Sequence, residues 1–303
     1  MEDSFVKVAL VQYAPVLFDK KATLDKMADL LEEVGKEGAD VVVFPEAFIP
    51  AYPWAMSFGT VIGSRSPQGR DAFLHYWENA IRIPGPETDR IGSLVKKISA
   101  VTVVGVIEKD LTGTLYCTLV YFDADGSLLG KHRKLKPTAA ERVIWGEGDG
   151  TDLQVHDTAK GKIAGLICWE NYMPLARFAL YEQGVELYCA PTADARDSWQ
   201  ASMRHIAMEG RCFVLGCNQY VTLDMFPEAY REEVSAKGEI LCRGGSVVVS
   251  PLGEVLAGPL FDREGILYAT LDRREIGRGK MDFDVAGHYN RPDVFSYEWT
   301  KGK

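Results

Sequence analysis

Three side chains with complementary chemistry lie far apart in this sequence. They are Glu46 in VVVFPEAF, Lys134 in GSLLGKHRKLKPT and Cys168 in GKIAGLICWENY. Each follows a short run that reads as extended chain. A cysteine attacks well only as its thiolate. It needs a base, and Glu46 suits that role if partial burial raises its pKa. It also needs a cation where negative charge develops, and Lys134 can supply one. Cysteine, glutamate and lysine together make a covalent hydrolytic site that calls for no cofactor. Each residue also has a plainer reading. A free cysteine at a strand end is often a small buried apolar residue, and Cys189 in VELYCAPTA sits in a similar setting. Glu46 could cap a helix or lie on the surface. Lys134 belongs to the basic cluster Lys131, His132, Arg133, Lys134 and Lys136, a pattern typical of solvated faces.

For these groups to meet, strands must carry them to one edge of a sheet. In α/β architectures, ligands bind beyond the carboxyl ends of strands. The pattern predicts strands over Val6–Tyr13, Ala39–Phe44, Val101–Glu108 and Leu115–Asp123, then a short extended piece after the turn at 123–126. In the second half it predicts strands over Ile163–Cys168, Val185–Ala190, Phe213–Gln219, Gly245–Ser250, Glu254–Ala257 and Ile266–Asp272. Helices are expected over Lys20–Gly38 (capped by Asp19), Pro86–Ala100, Pro174–Gln183 and Trp199–Gly210. Residues 50–80 read as a long loop with a short helix. No composition break interrupts the alternation, so residues 1–275 read as one α/β domain with a layered sheet core. Residues 276–303 read as a tail.

The stretches FPEAF, HRKLKPT and ICWENYMPL, in this order, resemble the three catalytic motifs of the nitrilase (carbon–nitrogen hydrolase) superfamily. The resemblance runs from about Val6 to about Asp272. Cys-Trp-Glu in the third motif resembles the nitrilase branch itself, since amidase and carbamoylase branches typically carry Asp soon after the cysteine. TAAERVIWGEGDG resembles the segment with a second glutamate, here Glu141, whose plainer reading is a surface carboxylate paired with Arg142. SMRHIAMEGRCFV and the tail segment VAGHYNRPDVF also resemble nitrilase stretches.

The resemblance implies a four-layer α-β-β-α sandwich. It implies Cys168 as nucleophile, Glu46 as general base, Lys134 as stabiliser of the tetrahedral intermediate, and Glu141 to position substrate or hold Lys134. The expected reaction converts a small nitrile and water to a carboxylic acid and ammonia through a cysteine thioimidate and thioester. An amidase of the same superfamily is the alternative, and a non-catalytic binding module on the same fold a remoter one. Trp145, Trp169, Tyr172, Tyr52 and Trp54 are candidates for the substrate pocket because they adjoin the proposed catalytic residues; core packing is the other fate of such side chains.

Other readings fall away. A formal net charge of −9 argues against general nucleic-acid binding. The N-terminus lacks signal-peptide features, and no stretch of about 18 apolar residues reads as a membrane span, so a cytoplasmic location is expected. The six cysteines form no CxxC pair, and no metal is expected. The glycines at 146–150 and 277–279 lack a phosphate-loop context, and no GxSxG is present. A protease-like pairing of Cys168 with His132 or His205 has no supporting context. A homodimer or small even homo-oligomer is expected, with the tail at an interface. The helix Pro174–Gln183 is a candidate dimer face, or else packs ordinarily on the sheet.

Overall fold

The computed structural model describes residues 4–299. In chain order the elements are β1 (Phe5–Gln12), α1 (Lys20–Lys36), β2 (Val41–Val43), a small hairpin of β3 (Thr60–Val61) and β4 (Ser64–Arg65), α2 (Pro67–Asn79), α3 (Pro86–Ile98), β5 (Val101–Lys109), β6 (Leu115–Phe122) and β7 (Leu128–Arg133). The second half holds β8 (His156–Thr158), β9 (Gly161–Gly165), α4 (Pro174–Glu182), β10 (Leu187–Cys189), α5 (Asp197–Gly210), β11 (Phe213–Gly216), β12 (Tyr220–Thr222), α6 (Glu228–Val234), β13 (Ile240–Val249), β14 (Val255–Phe261), β15 (Gly265–Asp272) and α7 (Arg274–Gly279).

One sheet runs β15-β1-β2-β5-β6-β7, with β1, β2 and β5 parallel. The other runs β12-β13-β11-β10-β9-β8, with β9, β10 and β11 parallel and β14 added on β13. Side chains on a strand alternate between faces, and here both faces are apolar. Val6, Val8 and Leu10 of β1 join a core that also holds Leu187, Cys189, Phe213 and Leu215 of the second sheet. Ala9 and Val11 point the other way, into a core with Leu24, Met27, Leu31 and Val34 of α1 and Ile91 and Val95 of α3. Tyr188 and Val214 likewise pack with Ala179 and Leu180 of α4 and Trp199 and Met203 of α5. The three cores separate four layers, which are helices, sheet, sheet and helices. Near-continuous apolar strands such as Val41–Val43 are what a sheet covered on both faces requires.

Several elements differ from the sequence pattern. Residues 67–79 form a full helix, α2, begun by Ser66, whose hydroxyl accepts from Gly69 N at 3.0 Å, and by Pro67 in the first turn. Its weak apolar periodicity concealed its length, where only a short helix was expected: Tyr76 is its one fully buried large side chain. β12 and α6 lie where no element was expected. β9 stops at Gly165, and Cys168 does not close that strand. The backbone runs on beside residues 189–191, with Leu166 N donating to Cys189 O at 3.1 Å and Cys168 N to Pro191 O at 2.8 Å. The division expected between residues 275 and 276 falls inside α7. The segment beyond α7 returns to α4, where Tyr297 OH donates to Leu175 O at 2.7 Å and its ring packs edge-on against Phe178. Among the described residues, no helix is long and apolar enough to cross a membrane.

One glycine joins the sheet to the chemistry. A Cβ on Gly105 of β5 would lie 2.1 Å from Pro45 O and 2.8 Å from Glu46 Cα. Backbone cannot yield as a flexible side chain does. Gly105→Ala is therefore expected to lose about 1–3 kcal/mol of stability, as overpacked cores do. A lower urea midpoint with an unchanged slope would show it; an unchanged midpoint would mean the turn is softer than described.

Candidate active site

β2 ends against β5, and the chain after it hugs the β5 edge. Phe44 N donates to Val103 O at 2.8 Å and Ile49 N to Gly105 O at 3.3 Å. This turn points Glu46 inward. Gln219 Nε2 holds its backbone carbonyl at 2.8 Å. The carboxylate is fully buried. Its Oε1 accepts from Lys134 Nζ at 2.8 Å and from Cys117 Sγ at 3.7 Å, while Oε2 has no hydrogen-bond partner. Burial raises its pKa above 4.5, and the nearby Glu141 charge adds to that; Lys134 and the Cys168 thiol pull it back without cancelling the rise.

Lys134 is the first residue past β7, and its backbone N–H still pairs with Cys117 O at 2.8 Å. Its buried ammonium also donates to Glu141 Oε2 at 2.8 Å. Burial alone would lower its pKa. The charge of Glu46, with Glu141 beside it, outweighs this, so it is held well above the usual lysine range and stays cationic. Glu141 sits in a tight turn over Ala139–Val143, where Oε2 also accepts from Thr138 N at 2.6 Å. Tyr52 OH donates to Oε1 at 2.6 Å. Glu141 is thus bound to Lys134 and not to Arg142, whose Nε donates to Pro137 O.

Cys168 opens a single 3₁₀ turn, Cys168–Tyr172, with φ at 51°. A non-glycine residue in the left-handed region is sparsely populated and costs of order 1–3 kcal/mol unless its surroundings hold it. They do here. Asn171 Nδ2 donates to Leu166 O at 2.9 Å and Cys168 O at 2.8 Å. Tyr188 OH fixes Asn171 Oδ1 at 2.9 Å, and Arg177 Nη1 holds Asn171 O at 2.7 Å. Thr192 Oγ1 donates to the sulfur at 3.2 Å, and Ala193 N–H is aimed at it too. Burial pushes the thiol pKa up, and the Glu46 charge adds to the rise against the pull of Lys134 and Thr192. The resting group is a thiol. Burial also raises Cys189, so titration does not set Cys168 apart. Its neighbours do: a carboxylate, an ammonium and an open cavity.

That cavity has a volume of about 650 Å³, and Cys168 and Glu141 form part of its floor. Tyr52, Trp54 and Trp169 supply its aromatic wall. Trp169 Nε1 donates to Asp194 Oδ2 at 2.9 Å, and the Arg196 guanidinium, paired with Asp194, lies 5.0 Å over the indole. The other two aromatic candidates fall elsewhere. Trp145 is buried behind the wall, edge-on to Tyr52, and is not part of the lining. Tyr172 is exposed and packs against the edges of Trp169 and Trp199, outside the cavity. Closeness in sequence misplaces both, because a tight helical turn sends near neighbours in different directions. Thr192, Asn171 and Asp194 went unnoticed in the sequence, since single polar residues on separate loops carry no local signature.

Among the described residues, no group of three or more His, Cys, Asp or Glu is arranged to hold a metal ion. His132 contacts Asp152 and Glu170, not the sulfur. The arrangement can transfer a proton from thiol to carboxylate and stabilise charge beside a fixed ammonium.

The carbon-nitrogen hydrolase family profile matches residues 7–281. The chain belongs to that family. It is 51% identical over 296 residues to the bifunctional nitrilase/nitrile hydratase NIT4B of Nicotiana tabacum, covering 96% of this chain and 85% of the relative. It is 52% identical over 290 residues to the aliphatic nitrilase of Sinorhizobium fredii (strain HH103), covering 95% of this chain and 94% of that one. Such relatives place this carbon–nitrogen hydrolase in the nitrilase branch. A solved carbon-nitrogen hydrolase from Helicobacter pylori G27 superposes with a TM-score of 0.77 at 24% identity, covering 97% of this chain and 98% of that one. The α-β-β-α sandwich is therefore the fold of the family.

Tyr52 and Tyr172 separate wall from periphery. Tyr52→Phe removes a charge-assisted hydrogen bond of about 1.5–3 kcal/mol, so turnover should fall roughly tenfold or more. Tyr172→Ala should keep turnover within roughly threefold, as changes at exposed positions usually do. Steady-state ammonia release measures both, and the reverse ranking would refute this map of the cavity.

Proposed function

We propose that this chain hydrolyses a nitrile to its carboxylic acid and ammonia, with Cys168 as nucleophile, Glu46 as general base, Lys134 as electrostatic stabiliser and Glu141 as the group that holds Lys134. The observation that carries this reading is a thiol that lines the cavity, backed by a buried ammonium paired with a carboxylate that keeps one oxygen free. Half-identical relatives named as nitrilases narrow the bond to a nitrile.

The steps follow from the geometry. The Cys168 thiol proton passes to Glu46 as sulfur bonds the nitrile carbon. That proton moves on to the nitrile nitrogen, giving a thioimidate. A water, deprotonated by Glu46, adds to the same carbon. Lys134 offsets the charge that builds there. Once nitrogen is fully protonated the C–N bond breaks, ammonia leaves and a thioester remains. A second water adds in the same way, the C–S bond breaks, and acid and thiol are restored. Two waters are consumed, and nothing is oxidised or reduced.

If the C–S bond breaks first in the earlier tetrahedral intermediate, an amide leaves instead. The name of the tobacco relative, a nitrilase/nitrile hydratase, favours that as a minor product here. The substrate tail lies against Tyr52, Trp54 and Trp169, which suit a flat or apolar group. Trp145 supports Tyr52, and Tyr172 supports Trp169. The enzyme works in the cytoplasm, without cofactor, as a homodimer or small even oligomer. Exposed Leu175 on α4 makes that helix the candidate interface, together with the returning tail.

Cys168→Ala should abolish ammonia release from nitriles, whereas Cys189→Ala should keep it; turnover by the first variant at the wild-type rate would end the proposal. Comparing acid and ammonia yields from a nitrile and its matching amide separates nitrilase from amidase. The pH profile offers a further check. A base works only when ionised, and burial raises Glu46 above 4.5. The acid limb of kcat/KM should therefore have its midpoint above 4.5, and a limb at or below that value would disqualify Glu46 as the base.

A further inference from the structure

A second charged cluster lies behind the catalytic one and lends it none of its atoms. His132, two residues before Lys134 on β7, is buried. Its Nδ1 is 3.1 Å from Asp152 Oδ1, and its Nε2 is 3.2 and 3.3 Å from the two oxygens of Glu170. Glu170, two residues after Cys168, is buried as well. Its Oε1 accepts from Leu135 N at 2.5 Å and its Oε2 from Ile167 N at 2.7 Å. Leu135 follows Lys134 in the chain, and Ile167 precedes Cys168. One carboxylate therefore grips the backbone beside the lysine and the backbone beside the nucleophile. His132 fixes that carboxylate from a third side. Asp152 closes the network, because its Oδ2 accepts from Arg133 N at 2.9 Å.

We propose that Glu170 and His132 are positioning residues, a buried charged staple that sets Cys168 against Lys134. The proposal rests on the hydrolase reading above and deepens it. Neither residue lines the cavity, and the polar atoms of both are taken up by each other, by Asp152 or by backbone N–H groups. The argument is geometric. β7 lies in one sheet and the 168–172 turn follows β9 of the other, so no strand ladder fixes the distance between them. A bidentate carboxylate facing two backbone N–H groups and an imidazole removes that freedom. A misplacement of about 1 Å at a reacting centre can cost a hundredfold in rate.

The staple should be charged at neutral pH. Burial alone would lower the His132 pKa, but Glu170 and Asp152 reverse this and raise it from 6.5 to about 10. These two carboxylates are the charged groups that face the imidazole; Tyr121 of β6 lies near the same pair. A raised histidine pKa gives stability that is full below about 6.5 and is lost as pH climbs toward about 10. Turnover should fall only around pH 10, where the folded-state imidazole gives up its proton, before Lys134 loses its own.

The test uses His132→Gln and Glu170→Gln, with active sites counted by stoichiometric iodoacetamide labelling of Cys168. A merely structural pair would lower the number of labelled sites and leave turnover per site alone. A positioning pair should lower kcat per labelled site by about tenfold or more, with KM within about threefold. The alkaline fall near pH 10 should also disappear in His132→Gln. Should these variants not fold, Asp152→Asn keeps a hydrogen-bonding partner for the imidazole but removes a charge. Its alkaline fall should then begin at lower pH. Turnover per site within twofold of wild type across the pH range in the folded variants would overturn the proposal. Failure of the hydrolase reading looks different: wild type would release no ammonia from nitriles or amides. The labelling rate of Cys168 needs no turnover, so a rate unchanged by His132→Gln would sink the staple by itself.

Discussion

The buried ammonium of Lys134 organises this protein's interior. It lies between two carboxylates, Glu46 and Glu141, each 2.8 Å away. Removing charges from water costs several kcal/mol per ion, and only close geometry repays it. The cluster therefore constrains everything around it. Glu46 must reach it from the turn after β2, Lys134 from the end of β7, and Glu141 from a tight turn that Tyr52 pins in place. Truncating any one partner leaves an uncompensated charge in a buried site. The same burial gives the ammonium its strength toward charge developing on a substrate, since screening weakens away from bulk water.

The sandwich is the means of satisfying that constraint. Two sheets packed face to face bring the ends of β2, β7 and β9 together from distant parts of the chain. They are also tied by side chains as well as by apolar contact. Gln12 of β1 donates to Leu260 O and Arg263 O at 2.8 Å and accepts from Gly245 N and Ser246 N of β13. Outer helices close both apolar faces, and α1 and α3 come close where Gly35 meets Ile98. The second charged cluster, around Glu170, then performs for the nucleophile turn what Gln12 performs for the sheets.

Much of this was legible in the sequence, for identifiable reasons. Strands that are apolar on both faces announce a doubly covered sheet, and the helices flanking them show a 3.6-residue period. Glu46, Lys134 and Cys168 stand out because each ends such a strand or follows an extended run. The pocket wall was less legible. Trp169 lines the cavity while Tyr172, three residues on, faces outward, and no local pattern tells them apart. Thr192 and Ala193 reach the sulfur, and Asp194 the Trp169 indole, because the parallel neighbour of β9 delivers them there, which is a fact of pairing and not of spacing. α6 escaped notice, and α2 showed only as a short helix in a loop, because each buries too little to leave a periodic trace.

Trp169 has a consequence of its own. Its indole is hydrogen-bonded to Asp194, overlaid by Arg196 and adjacent to Cys168 in the chain. A fluorophore so placed, with 42% of the residue still open to solvent, senses polarity at the cavity mouth. A guest that displaces water there should shift the emission of this indole, one of six in the chain, without any added dye.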